Sequence, residues 1–131
     1  MANKGYIAFD TAVIGAGAAG FMAAITAARN GRSVAIIEHK DRPGKKILAT
    51  GNGKCNFTNE RMGTEYFRGD KKLIETSLGK FTERDTIEFL NGIGVAARNK
   101  NGYYYPNSES AASVLKALEM EAKRLGIRVY T

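Results

Sequence analysis

The stretch that decides the fold runs from Asp10 to Glu38 and reads DTAVIGAGAAGFMAAITAARNGRSVAIIE. Its first part, up to Gly15, is a short apolar run stopped by glycine, as is typical of a parallel strand buried on both faces. Residues 18–30 carry apolar side chains at helical spacing, and Gly31 can end that helix with a positive φ. Residues 33–38 form a second apolar run. The stretch therefore predicts a βαβ unit over residues 10–38, with a right-handed crossover.

A glycine motif lies between the first predicted strand and the helix, where Gly15, Gly17 and Gly20 form the pattern G-x-G-x-x-G. The first glycine allows a tight turn, the second lets a pyrophosphate approach the backbone, and the third lets helix and strand pack closely. The helix N-terminus then directs its free N–H groups and its dipole at the phosphates. The motif in this context predicts a dinucleotide-binding turn.

Glu38 ends the second predicted strand, where a carboxylate accepts hydrogen bonds from the hydroxyls of an adenosine ribose. A carboxylate there would repel a 2′-phosphate, so the spacing favours FAD or NAD over NADP. His39 follows it, and its backbone or ring can touch the adenosine. The candidate cofactor-binding residues in this stretch are Gly15, Gly17, Ala18, Ala19, Gly20, Glu38 and His39.

The rest of the chain divides into three segments. Residues 39–59 are rich in Gly, Lys and Asn, which predicts a structured loop without regular elements. Residues 60–107 predict an insertion of two short helices and a hairpin with its turn at Asn101-Gly102. Residues 108–131 predict an amphipathic helix followed by a third strand. The expected fold class is α/β, an incomplete Rossmann-like domain whose parallel sheet has an unpaired edge at the first strand, open to self-association.

The composition of the chain limits the classes of function that it can have. The chain has 131 residues, of which 44% are hydrophobic, so we expect one globular domain and too little chain for a two-domain enzyme. Lys and Arg number 20 against 13 Asp and Glu, and the net charge of +7 favours an anionic partner. The cations do not form a long block, so nucleic acid is not an expected partner. The single cysteine, Cys55, excludes an intrachain disulfide, predicts no metal cluster, and suits a cytoplasmic protein.

Residues 11–28 form an uncharged run that is long enough for a membrane span or a signal peptide. Small residues, Ala and Gly, make up much of this run, and the strand, glycine turn and helix account for it. We therefore expect no membrane association.

Beyond these patterns, the chain resembles flavoproteins with two dinucleotide-binding domains, because Gly15 to Glu38 match their first motif at every defined position. Residues 43–59, which read PGKKILATGNGKCNFTN, resemble the second signature of a narrower group. That group is the BaiN/RdsA family of bacterial NAD(P)/FAD-dependent oxidoreductases, also described as aminoacetone-oxidase-like. Residues 105–108 resemble the family's next block. Thr50, Asn52 and Lys54 depart from the usual Ser, Gly and Arg, and Asn52 puts close backbone contact at its position in question.

The resemblance implies FAD as cofactor, NAD(P)H as an electron donor, a small-molecule substrate and a longer protein of which this chain is the N-terminal part. It adds residues of the glycine-rich loop to the candidate cofactor site: Lys46, Gly51, Gly53, Asn56 and Thr58. From the residues alone, Lys46 can equally be a solvated charge, and Asn56 and Thr58 can simply hold the loop through side-chain to backbone hydrogen bonds. No residue is assigned as catalytic, and a buried, inert Cys55 is the better interpretation of that thiol.

Three functions remain open at this point. The first is the FAD-binding segment of a flavin-dependent oxidoreductase, in which the isoalloxazine carries the redox chemistry. The second is a non-catalytic module that binds an adenine nucleotide or oligomerises. The third is nucleic-acid binding through the positive charge, which would show salt-dependent affinity.

Overall fold

The computed structural model describes residues 6–131 and divides the chain into two units. The first unit contains the chain up to Lys46 together with Leu118–Thr131, and the second contains Ile47–Ala117. The regular elements, in chain order, are β1 (Thr11–Ile14), α1 (Ala18–Arg29), β2 (Val34–Ile37), α2 (Lys45–Ala49), β3 (Thr58–Asn59), α3 (Lys71–Lys80), α4 (Glu83–Gly92), β4 (Ala97–Lys100), β5 (Tyr103–Pro106), α5 (Ala111–Arg124) and β6 (Arg128–Tyr130).

The first unit is built on a parallel sheet with the strand order β1-β2-β6. Val13, Ile36 and Val129 are neighbours across the three strands. Helix α1 packs on this sheet through Phe21, Ala24 and Ile25, all of which are fully buried. The predicted βαβ unit is confirmed, and within residues 6–131 β1 is an edge strand that pairs only with β2.

The opposite face of this sheet is more exposed than the sequence predicted. Ile14, Ile37 and Tyr130 form the next row across the strands, and their exposed fractions are 78%, 45% and 41%. The expectation that the strands are buried on both faces is therefore wrong for β1. Alternate residues of a strand point to opposite faces, and α1 buries only the face that carries Val13 and Ile36.

An ion pair joins α1 to the C-terminal part of α5 within the first unit. The Glu121 carboxylate, only 7% exposed as a residue, accepts hydrogen bonds from the guanidinium groups of Arg124 at 2.7 Å and Arg29 at 2.8 Å. The hydrogen bond from Arg124, reinforced by that from Arg29, lowers the pKa of Glu121 to about 2. The pair therefore stays ionised at neutral pH.

The second unit contains an antiparallel sheet with the order β3-β5-β4 and the helices α3 and α4. Asn101 and Gly102 both have positive φ, 53° and 88°, so the predicted tight hairpin turn is confirmed. The two predicted short helices are also confirmed. Thr82 starts α4 with a capping box, in which its hydroxyl accepts from the Asp85 N–H and the Asp85 carboxylate accepts from the Thr82 N–H.

Residues 39–59 are more regular than predicted. They contain the single helical turn α2, a 3₁₀ turn at Thr50–Gly53 and the short strand β3. Helix α2 buries only Ile47, so its sequence lacks the repeated apolar spacing by which longer helices are identified. The expectation of a loop without regular elements is wrong for this reason.

The uncharged run at residues 11–28 forms β1, the glycine turn and most of α1. Within residues 6–131, no helix has the length and hydropathy needed to cross a membrane.

Candidate dinucleotide site

The glycine turn connects β1 to α1 in the first unit. Gly15 has a φ of 97°, which favours glycine, and its N–H donates to the Ile37 carbonyl at 2.7 Å. Gly17 is the N-cap of α1, and its carbonyl accepts the first helical hydrogen bond, from the Phe21 N–H at 2.9 Å. The turn thereby places the N-terminus of α1 directly at the carboxyl end of β1.

Gly20 and Gly17 are glycines for different reasons. A Cβ on Gly20 would lie 1.8 Å from the Gly15 carbonyl oxygen, so the close packing of helix on turn requires glycine there. A Cβ on Gly17 would meet nothing within 4 Å, and its φ of −86° is open to any residue. The protein's own structure therefore leaves free space beside the helix N-terminus at Gly17. Such a cradle fits the pyrophosphate of a dinucleotide.

The Glu38 carboxylate lies at this turn and is held by two backbone groups. Its Oε2 accepts from the Ala16 N–H and its Oε1 from the Lys40 N–H, each at 2.8 Å. These hydrogen bonds, that from Lys40 first, lower the pKa of Glu38 below its usual range. An ionised carboxylate has about four acceptor positions, so it can still accept from a ribose hydroxyl.

His39 and Lys46 are at the surface of the first unit. His39 follows Glu38, its side chain is 81% exposed, and its Nδ1 lies 3.9 Å from Glu38 Oε1. Lys46 lies in α2 and is exposed. Ala18 and Ala19 begin α1, so their N–H groups belong to its first turn. The structure brings Gly15, Gly17, Ala18, Ala19, Gly20, Glu38 and His39 together around one turn.

The remaining candidates, Gly51, Gly53, Asn56 and Thr58, lie in the second unit. Gly51 has a φ of 56°, and a Cβ there would come 2.5 Å from the Asn56 N atom. The Asn56 side chain donates to the Thr58 and Tyr104 carbonyls at 3.1 and 3.0 Å, which ties the loop to β5. These contacts show how the loop is held, and they leave the proposed cofactor contacts of these four residues as a prediction.

Asn52, the departure in the family signature, has a φ of 54° and a ψ of 44°. Asn adopts this left-handed conformation more readily than other residues with a side chain. The loop backbone thus keeps a glycine-like conformation at this position.

Cys55 is 6% exposed. Burial raises the pKa of its thiol, and the hydrogen bond with the Thr50 side chain only partly offsets this effect. A buried, protonated thiol is a poor nucleophile, so we assign Cys55 no catalytic role. In the part of the chain that the structure describes, no group of three or more His, Cys, Asp or Glu residues could hold a metal ion.

Two features of the site were missed by sequence reasoning. One is the pair of backbone N–H groups, from Ala16 and Lys40, that fix the Glu38 carboxylate. The other is the hydrogen bond from the Gly44 N–H to the Ala16 carbonyl at 2.8 Å, which ties the loop after β2 back onto the glycine turn. Both involve main-chain groups, which every residue type carries, so no side-chain pattern could have indicated them.

The parallel sheet, the glycine turn and the Glu38 carboxylate define part of a Rossmann domain. A family model described as "HI0933-like protein Rossmann domain" matches residues 9–131, and the chain belongs to this family. The resemblance to the BaiN/RdsA family is confirmed.

Curated relatives carry two kinds of name. The chain is 46% identical over 122 residues to a 3-dehydro-bile acid delta(4,6)-reductase of Clostridium scindens. It is 34% and 30% identical to proteins named ribosomal RNA dihydrouridine synthase from Escherichia coli and Haemophilus influenzae. These alignments cover 91%, 88% and 92% of this chain but only 30%, 29% and 30% of the relatives. The chain therefore spans about a third of the length of the relatives it matches.

Solved structures share the fold. The THI4 protein of Thermovibrio ammonificans aligns with a TM-score of 0.59 and 25% identity, over 93% of this chain and 38% of that chain. A 3-ketosteroid-delta4-(5alpha)-dehydrogenase of Rhodococcus jostii aligns with a TM-score of 0.68 and 18% identity, over 93% of this chain and 37% of that chain. At 18% identity the second likeness supports the fold alone.

Proposed function

We propose that this chain holds FAD through its first unit and that the whole protein is a flavin-dependent oxidoreductase. FAD, when bound, supplies the redox chemistry, and the residues of this chain bind and orient it. The glycine turn and the first N–H groups of α1 would hold the pyrophosphate, and Glu38 would hold the adenosine ribose. Cofactor contacts of Gly51, Gly53, Asn56 and Thr58 are proposed from the family resemblance alone.

The proposal rests on one observation. The free space at Gly17 and the fixed carboxylate of Glu38 lie at the same turn. Among residues 6–131, nothing lies within 4 Å of a Cβ built at position 17, and a bound group would account for the missing side chain. The Glu38 carboxylate has a lowered pKa and is held at 2.8 Å by the Ala16 N–H beside that space, where it can still accept from a ribose hydroxyl. A 2′-phosphate would meet this negative charge, which favours FAD over NADP at this turn.

Glu38→Gln tests the ribose contact. We expect the purified protein to bind FAD and ADP, and the variant to bind both roughly tenfold more weakly, because hydrogen bonds to a charged acceptor are lost. Titration calorimetry measures the affinities, and retention of the visible flavin absorbance after desalting gives a second readout. Glu75→Gln, a charge-matched change on α3, serves as the control and should leave both affinities unchanged.

Two results would contradict the proposal. Equal FAD affinity in the Glu38→Gln and wild-type proteins would mean that the ribose does not lie at Glu38. A protein that binds AMP and ADP as tightly as FAD, and whose added flavin is not reduced by NAD(P)H, would instead support a non-catalytic nucleotide-binding module.

The electron donor and the substrate are proposed from the relatives. We infer that NAD(P)H reduces the flavin and that the substrate is a small molecule, since the relative with 46% identity is named a bile acid reductase. An RNA substrate is a second candidate, supported by the two relatives named ribosomal RNA dihydrouridine synthase and by the net charge of +7. Oxidation of the reduced flavin by a 3-dehydro-bile acid or by ribosomal RNA distinguishes them. A cytoplasmic location is proposed only from the single, buried thiol.

A further inference from the structure

The second unit contains a group of four charged side chains that the proposed FAD site does not use. Lys54, Arg98 and Lys100 all converge on the carboxylate of Glu109, and we call these four residues the Glu109 cluster. The Lys54 Nζ lies 3.7 Å from Oε2, the Arg98 Nη1 lies 3.3 Å from Oε1, and the Lys100 ammonium also contacts Oε1. Three cations thus share one carboxylate.

Three different elements supply the cluster. Arg98 and Lys100 are two residues apart on β4 and so share one face of the hairpin. Asn99, between them, points to the other face and donates to the Glu60 carboxylate, which lies outside the cluster. Lys54 ends the 3₁₀ turn, and Glu109 precedes α5.

The backbone at Glu109 is held in an unfavourable conformation. Its φ is 52°, and its N–H donates to the Pro106 carbonyl at 2.8 Å. A glutamate adopts this left-handed conformation only at a cost. The surrounding turn therefore fixes the residue on which the three cations converge.

The cluster carries an uncompensated positive charge. The hydrogen bond from Lys100, together with the charges of Lys100, Lys54 and Arg98, lowers the pKa of Glu109 below its usual range, so this carboxylate is ionised at neutral pH. Three cations and one anion leave an excess of two positive charges. The side chains of Lys54 and Arg98 are 52% and 54% exposed, so an incoming anion can reach both.

We propose that the Glu109 cluster binds a phosphoryl group of a ligand. A phosphate monoester carries about −1.5 to −2 charge at pH 7, and an RNA backbone carries about −1 per phosphate, so either can compensate the excess positive charge. The planar guanidinium of Arg98 can donate two parallel hydrogen bonds to phosphate oxygens, and Lys54 and Lys100 act as point charges beside it. Glu109 then keeps the cations together in the free protein and competes with the ligand for them. This site does not depend on the proposed FAD site.

Inorganic phosphate is the first probe, titrated by calorimetry into the purified protein at ionic strength matched with chloride. We expect binding that weakens about fivefold in Arg98→Gln and in Lys100→Gln, since each removes one partly exposed charge contact. Glu109→Gln should strengthen binding, because it removes the competing carboxylate without removing a cation. Lys72→Gln, the same change of charge on α3, is the control and should bind phosphate as the wild type does.

The source of the phosphoryl group is tested with a mixed-sequence single-stranded oligoribonucleotide in place of phosphate. Tighter binding than inorganic phosphate, lost in Arg98→Gln, identifies an RNA backbone, whereas phosphate binding without oligonucleotide binding identifies a small phosphorylated ligand. No phosphate binding by the wild type, or equal affinities for Arg98→Gln and Lys72→Gln, would overturn the proposal. Affinity for FAD, measured on the same variants, should not change, which separates this result from any failure of the FAD site.

Discussion

At the scale of single residues, the glycines of one motif have separable roles. The backbone favours glycine at position 15 because its φ is 97°. Packing requires glycine at position 20 because a Cβ there would lie 1.8 Å from the Gly15 carbonyl oxygen. Neither reason applies to Gly17, since its φ is ordinary and the space beside it is open. The spacing G-x-G-x-x-G predicted all three roles, and the structure distinguishes which of them are internal to the fold.

This difference predicts opposite outcomes for two alanine substitutions. Gly20→Ala should lower the free energy of unfolding by about 1–3 kcal/mol, because a methyl group cannot fit against a backbone oxygen. Gly17→Ala should change it by no more than about 1 kcal/mol, the usual range for a changed N-cap. It should nevertheless weaken FAD binding, because the methyl group occupies the proposed pyrophosphate space. Urea unfolding and FAD titration on both variants measure the two effects. A Gly17→Ala protein with unchanged FAD affinity would contradict the assigned role.

At the scale of elements, the sequence was sufficient to predict a helix or a hairpin whose beginning and end are marked by residues within that element. Helix α1 was expected over residues 18–30 and is observed at Ala18–Arg29. The Asn101-Gly102 dipeptide identified the hairpin, because both residues accept positive φ. Helix α2 was missed because a single turn with one buried residue, Ile47, has no periodicity to detect.

The capping box of α4 provides a test at this scale. Thr82→Ala should lower the free energy of unfolding by about 1 kcal/mol, because the Asp85 N–H loses the hydroxyl that accepts its hydrogen bond. Thr76→Ala is the matched control. The Thr76 hydroxyl donates only within α3, to the Lys72 carbonyl, and its loss should change stability by less than about 0.5 kcal/mol. Chemical denaturation of both variants gives the comparison, and equal stabilities would argue against a stabilising cap.

At the scale of the whole molecule, contacts between distant parts of the chain organise each unit. Arg29 and Glu121 are separated by 92 positions, yet their hydrogen bonds join α1 to α5 in the first unit. In the second unit, Glu109 forms ion pairs with cationic side chains of the glycine-rich loop and of the hairpin. Helix α5 was predicted as one element. Its residues up to Ala117 belong to the second unit, and those from Leu118 belong to the first.

The Glu121 ion pair predicts a dependence of stability on pH. The pKa of Glu121 is about 2 in the folded protein against an ordinary value of 4.5. A carboxylate with a lowered folded pKa stabilises the protein above its unfolded pKa, and this stabilisation is lost as the pH falls from about 4.5 towards 2. We expect Glu121→Gln to be less stable than the wild type at neutral pH, with the difference shrinking across that range.

Urea unfolding between neutral pH and the acid limit measures this difference. Glu119→Gln, on the same helix but outside the ion pair, serves as the control for the other carboxylates that titrate in the acid range. A stability difference between Glu121→Gln and the wild type that stays constant with pH would show that the pairing does not lower the pKa of Glu121.

The sequence by itself determined the βαβ unit, the glycine turn, the two short helices, the hairpin and the position of Glu38. Each of these depends on backbone requirements and apolar spacing within a short stretch. Only the tertiary structure decided that the Ala16 N–H fixes the Glu38 carboxylate, that Arg29 meets Glu121, and that three cations surround Glu109. Such contacts form between segments that are far apart in the chain. Their partners are set by how the elements pack, and packing is not encoded in any local pattern of residue types.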